Sequence, residues 1–130
     1  MSKHEYIAYL GKKFVIEWYY DANGRSQALE YADTLEKTEL KKLAAILMVM
    51  GDIGQLRNEE KFRYEGDKIY AFKPKPHRFL SFFYAGNKIV ITNAFVKKQD
   101  KMPAREKEKA LACMKDYEQR NKKGRYYETQ

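Results

Sequence analysis

The chain has 130 residues, 44% of them hydrophobic and 15% aromatic, which is enough to bury the core of one compact domain. Twenty-six Lys and Arg face eighteen Asp and Glu, a formal net charge of +8, and there is a single cysteine. One thiol, Cys113, excludes an internal disulfide and a Cys-based zinc cluster. The first strongly apolar stretch is broken by Glu17 and reads neither as a secretory signal nor as a membrane span, so a soluble cytoplasmic protein in a reducing compartment is expected.

The charge is unevenly divided. Residues 1–60 carry eight Lys/Arg against ten Asp/Glu, and residues 61–130 carry eighteen against eight. The excess lies wholly in the second half, as expected for a face that meets a polyanion, either nucleic acid or an acidic protein. A merely solubilising charged face is the alternative.

In chain order, the β-branched and aromatic run Phe14–Tyr20 predicts a strand closed by the turn residues Asp21-Ala-Asn-Gly24. Ser26 is placed to cap a short helix with Leu29, Ala32 and Leu35 on one stripe. Thr38 is placed to cap a second, in which Leu40, Leu43, Ala44 and Leu47 follow the i, i+3, i+4, i+7 pattern until Gly51 and Gly54 stop it. Met48 and Met50 read as core filler at its end. The period then changes to that of strands. Phe62–Tyr64 and Lys68–Lys73 form a hairpin through Gly66-Asp67, and Pro74 and Pro76 interrupt the ladder. Arg78–Tyr84 and Ile89–Phe95 are apolar strands joined through Gly86-Asn87. Pro103 suits the start of a last helix with Ala110, Leu111, Met114 and Tyr117 in one stripe, and with Glu106 and Asp116 spaced to pair with Lys109 and Arg120. Residues 121–130 read as a polar, frayed tail. The order predicts an α+β domain over residues 1–130, with helices on one face of a twisted antiparallel sheet and the other face open to a ligand.

Between Lys68 and Lys101 stand eight Lys/Arg and one acid, Asp100. In a meander, Lys73, Lys75 and Arg78 fall at one end of the sheet, and Lys97 and Lys98 return to that same end. Five converging cations suit a phosphodiester transition state, whose extra negative charge preorganised donors stabilise. On RNA the neighbouring 2′-hydroxyl can be the nucleophile, so no metal or cofactor is required. Crowded cations and partial burial lower a lysine pKa, which would allow Lys73 or Lys75 to act as general base. Simple binding of phosphate backbone is the alternative. His77 could transfer a proton or stack on a base, or could be a plain turn residue, since no carboxylate partner is visible in the sequence. Lys101 extends the RNA-binding face. His4 reads as part of a mobile N-terminus. Phe79, Phe82, Phe83 and Tyr84 read as core before they read as stacking platforms.

The stretch from Phe79 to Glu106 resembles the phage-derived, HigB-like branch of the RelE/ParE superfamily of toxins. The residues that carry this resemblance are Phe95-Val-Lys-Lys98 and Lys101-Met-Pro-Ala-Arg-Glu106, supported by Phe14-Val-Ile-Glu-Trp-Tyr19 and Gly24-Arg-Ser26. It spans about residues 12–120. It implies a RelE-like fold and the toxin of a toxin–antitoxin system, a ribosome-dependent mRNA endonuclease neutralised by a helix-turn-helix antitoxin. The family's basic site corresponds here to Lys73, Lys75, Arg78, Lys97 and Lys98. Two positions depart from the pattern: Met102 replaces a common threonine, and residues 99–108 contain no tyrosine or histidine to accept a proton. Tyr117, Tyr126 and Tyr127 match no family position. A non-nuclease protein on the same fold, either a topoisomerase poison or an RNA-binding module, is therefore the alternative.

Overall fold

The computed structural model describes residues 5–127; the expectation for His4 lies outside them. Nine elements follow in order: β1 (Ile7–Leu10), β2 (Val15–Trp18), α1 (Gln27–Asp33), α2 (Lys37–Ile53), β3 (Phe62–Tyr64), β4 (Tyr70–Phe72), β5 (His77–Tyr84), β6 (Lys88–Val96) and α3 (Ala104–Lys122). The six strands form one sheet in the order β1-β2-β6-β5-β4-β3. This is an α+β fold of the RelE-like kind. β2 runs parallel to β6 and the other four pairings are antiparallel, so the sheet is mixed. The parallel pair arises because α1, α2 and the whole β3–β5 meander intervene before the chain returns beside β2, and a crossover of that length can reverse direction freely. β1 is a strand that the sequence pattern did not announce. It is short, it shifts register between Ile7 and Tyr9, and its place comes from pairing with β2.

Ser26 caps α1 as expected, its hydroxyl accepting from Leu29 N at 3.3 Å. α2 begins earlier than expected: Glu36 is its N-cap, and Glu39 Oε1 accepts from Glu36 N at 3.3 Å, leaving Thr38 inside the helix. The buried stripe of α2 is Leu43, Ile46, Leu47 and Met50, whereas Leu40 and Met48 are 44% and 48% exposed. Met48 is therefore surface, because the buried stripe keeps Leu43 and Leu47 but continues through Ile46 and Met50, on the side of the helix away from Leu40 and Met48. Gly54 ends α2 with φ 80°. Gly51 is no stop. It lies within the helix, where the β1–β2 connection crosses it, and its carbonyl accepts from Lys13 N at 2.8 Å and Phe14 N at 2.9 Å. A Cβ on Gly11 would come within 2.3 Å of the Gly51 carbonyl carbon.

α1 and α2 cover one face of the sheet through a core that includes Ile16, Trp18, Phe79 and Ile91. α3 covers the other face, packing Ala110 and Tyr117 on Leu80, Phe82 and Val90. The expectation of an open second face is thus corrected, since the apolar stripe of α3 needs a partner and this face supplies it. The expected frayed tail is corrected for residues 121–127, while residues 128–130 lie outside the described residues. Tyr126 is 2% exposed, its hydroxyl accepts from Tyr20 N at 2.8 Å, and the Tyr127 hydroxyl donates to Glu17 Oε1 at 2.6 Å. No helix among the described residues is long and apolar enough to cross a membrane.

Candidate nucleic-acid interface

α3 does not cover its face completely. Its first turn meets the sheet at Asn93, whose Nδ2 donates to Glu106 O at 3.2 Å. From there the helix runs toward Phe82 and Tyr84, whose rings stand edge-on to Tyr117. The opposite end of the sheet, where β4 ends, β5 begins and β6 ends, lies beyond the helix.

Strand alternation places cations there. Phe62, Phe72 and Phe79 are paired across β3, β4 and β5 and belong to the core under α1 and α2. Their strand neighbours Arg63 and Arg78 therefore face the α3 side, and Lys73, just past the end of β4, lies close enough to feel both charges. Phe95, opposite Arg78, belongs to the α3-side core, and Lys97 follows two residues later, tied in place by its N–H donating to Pro76 O at 3.0 Å. Arg63, Lys73, Arg78 and Lys97 thus form a row across four neighbouring strands.

The row is electrostatically tense. Burial, followed by the charges of Arg78, Arg63 and Lys97, holds the Lys73 ammonium below the usual lysine range, with Glu60 opposing. Burial likewise lowers Arg78, opposed by Glu65 and Glu60. Arg78 is 8% exposed. Its Nη1 donates to His77 O at 2.9 Å, and its Nε is a buried donor with no partner among the described residues. Such an orphan is uncommon in a folded protein.

The structure brings Lys73, Arg78 and Lys97 together as the sequence suggested and adds Arg63. That residue could have been found from the alternation Phe62-Arg63-Tyr64, but three residues are too few to fix a face. Lys75 sits on the exposed β4–β5 turn, which contains a cis Lys75–Pro76 peptide, and is ion-paired with Glu60. Lys98 and Lys101 are exposed in the connection to α3 and form no ion pair among the described residues.

His77 lies on the other face. Its Nδ1 meets the Tyr31 hydroxyl at 2.6 Å and its Nε2 meets Glu39 Oε2 at 2.9 Å, so the carboxylate partner invisible in the sequence comes from α2. Burial pushes the Tyr31 hydroxyl up, keeping its proton available to Nδ1. With both nitrogens engaged and the residue 7% exposed, the ring clamps the start of β5 to α1 and α2, while its carbonyl holds Arg78.

The late tyrosines lie at the far end of the sheet. Tyr117 and Tyr127 share a hydrogen bond of 2.7 Å, and Lys88 Nζ donates to the Tyr127 hydroxyl at 2.9 Å. Burial pushes Tyr117 up to about 12. These hydroxyls fasten the C-terminus and are remote from the row. Among the described residues no group of three or more His, Cys, Asp or Glu is placed to hold a metal ion.

A RelE-like sheet with cations gathered at the end beyond α3 defines a small basic α+β protein. Comparison with known families places it further: residues 30–115 match the family described as phage derived protein Gp49-like (DUF891). The chain belongs to this Gp49-like family, which falls within the RelE/ParE-like toxin superfamily, and is thus grouped with the toxins of toxin–antitoxin systems, whose counterpart is an antitoxin. The match runs from α1 through the whole meander into α3 and so includes every member of the row. A search of curated proteins finds no match.

Proposed function

We propose that this chain is a HigB-like, ribosome-dependent mRNA endonuclease acting in the cytoplasm as the toxin of a toxin–antitoxin pair, its partner a helix-turn-helix antitoxin. The observation that carries the reading is the row Arg63, Lys73, Arg78 and Lys97, with one buried guanidinium donor unspent. A bridging phosphate would lie against the rim of the Arg78 guanidinium and the neighbouring ammonium groups, whose attraction would strengthen as charge builds on its equatorial oxygens. The RNA's own 2′-hydroxyl is the nucleophile, which requires neither metal nor cofactor. Of the two lysines considered as general base, Lys73 is the better suited, because its surroundings already disfavour the charged form. Lys75 is held by a carboxylate and serves the flanking backbone, as do Lys98 and Lys101. His77 supports the site from behind.

A second reading, RNA binding without cleavage, is favoured by the position of the tyrosines, none of which meets the row. End-group analysis of message recovered from translating ribosomes separates the two. Cleavage by 2′-hydroxyl attack leaves 5′-hydroxyl and 2′,3′-cyclic phosphate ends. Ends carrying 5′-phosphate would overturn the mechanism, and intact message with RNA retained on the protein would establish the second reading.

A further inference from the structure

The segment joining α2 to β3 approaches the basic site and engages two of its lysines. Asn58 shapes it: the side-chain Oδ1 accepts from Glu60 N at 2.9 Å, and the Asn58 carbonyl accepts from Lys61 N at 2.9 Å and Phe62 N at 3.0 Å. This Asx turn presents two acceptors in succession. The Glu59 carbonyl takes the Lys73 ammonium at 2.7 Å, and the Glu60 carboxylate pairs with Lys75.

We infer that Glu59 and Glu60 form an internal stand-in for RNA phosphate, with the Glu60 carboxylate competing for the cations that would otherwise hold the nucleic-acid backbone, so that this segment sets the affinity and salt sensitivity of RNA binding. The inference rests on the RNA reading above. Its support is the geometry of one turn supplying oxygen acceptors to both lysines. The electrostatics agree: Glu60 is held below the usual carboxylate range by its hydrogen bond and charge contact with Lys75, and then by Lys73 and Arg78. Glu60 nonetheless remains a surface group, its side chain 70% exposed, so it can swing away when a phosphate arrives. A carboxylate that neutralises a cation in the free protein also removes one counterion from those released on binding.

The test measures binding of a short fluorescein-labelled single-stranded oligouridylate by anisotropy over a range of salt concentrations. The proteins are wild type, Glu60→Gln, Arg78→Ala and Glu118→Gln, with folding checked by circular dichroism. Glu118, exposed on α3, carries the same charge change away from the site. Glu60→Gln should bind about two- to fivefold more tightly, the scale of an exposed ion pair. Its plot of log affinity against log salt should steepen by about 0.7, the increment for one further phosphate contact on a single strand. Glu118→Gln should do neither. Unchanged or weaker binding by Glu60→Gln, where wild type binds and Arg78→Ala does not, would overturn the inference and leave the RNA site standing. Equal gains in both glutamine variants would also overturn it, as a general charge effect. Failure of wild type and Glu60→Gln alike to bind RNA would remove the RNA reading and this inference together.

Discussion

Replacing Arg78 by methionine should make the protein more stable and less able to bind RNA. Arg78 is 8% exposed; its guanidinium donates to the His77 carbonyl at 2.9 Å, while Nε has no partner among the described residues. A buried unpaired donor costs about 1–3 kcal/mol, and a hydrogen bond from a charged group returns about 1.5–3 kcal/mol. These terms nearly cancel. Burial, however, also disfavours the charge itself, and Lys73 lies close enough to be lowered by it. Methionine keeps the apolar stem and removes both penalties, for a net gain of about 1 kcal/mol, or roughly 3–5 °C in Tm for a chain of this size. RNA affinity should fall roughly tenfold to a hundredfold, the equivalent of one charge-assisted phosphate contact. Thermal and urea denaturation paired with oligonucleotide binding read both quantities. A methionine variant that loses stability and binds RNA as wild type does would show that Arg78 is a structural residue and refute the reasoning.

Three further outcomes follow from the frame. Gly11→Ala should destabilise by about 3 kcal/mol in urea, because its Cβ meets Gly51 backbone at 2.3 Å and neither chain can yield cheaply; a loss below 1 kcal/mol would show the crossing to be loose. Tyr126→Ala should cost about 3–5 kcal/mol, since it deletes a 2% exposed ring together with the acceptor for Tyr20 N; unchanged stability would mean that the tail does not hold the fold. Glu39 is held below the usual carboxylate range, chiefly by its hydrogen bond to His77. A depressed folded-state pKa contributes stability that is present above the unfolded value and lost as pH falls through the folded one. Urea midpoints of wild type should therefore drop more steeply below about pH 4.5 than those of Glu39→Gln, and parallel curves would contradict the Glu39–His77 link.

Much of the frame was legible because local chemistry and tertiary context agree. Ser26, the Gly86-Asn87 reversal, the Pro103 start and the Glu106–Lys109 and Asp116–Arg120 pairs are each decided within a few residues. Where the sequence misled, contacts distant in the chain decide. β1 is held on α2 by the Tyr9 hydroxyl donating to Asp52, Gly51 stays helical where Gly11 crosses it, and the tail is fastened by Glu17 and Tyr20, over a hundred residues away. The site shows the same division. A count of charges along the chain located the end of the sheet where Lys73, Arg78 and Lys97 meet, whereas Arg63, the Glu39–His77–Tyr31 link and the carboxylate on Lys75 required the fold, because each joins elements that the sequence leaves unrelated.

The central claim, that the cationic row acts on message in the ribosome, is tested most directly by primer extension on a defined message translated in the presence of wild-type protein or Arg78→Ala. The account predicts new 5′ ends within the ribosome-covered codons with wild type, and their loss in a variant that remains folded. Uncut message with wild type, or identical cleavage by Arg78→Ala, would contradict it.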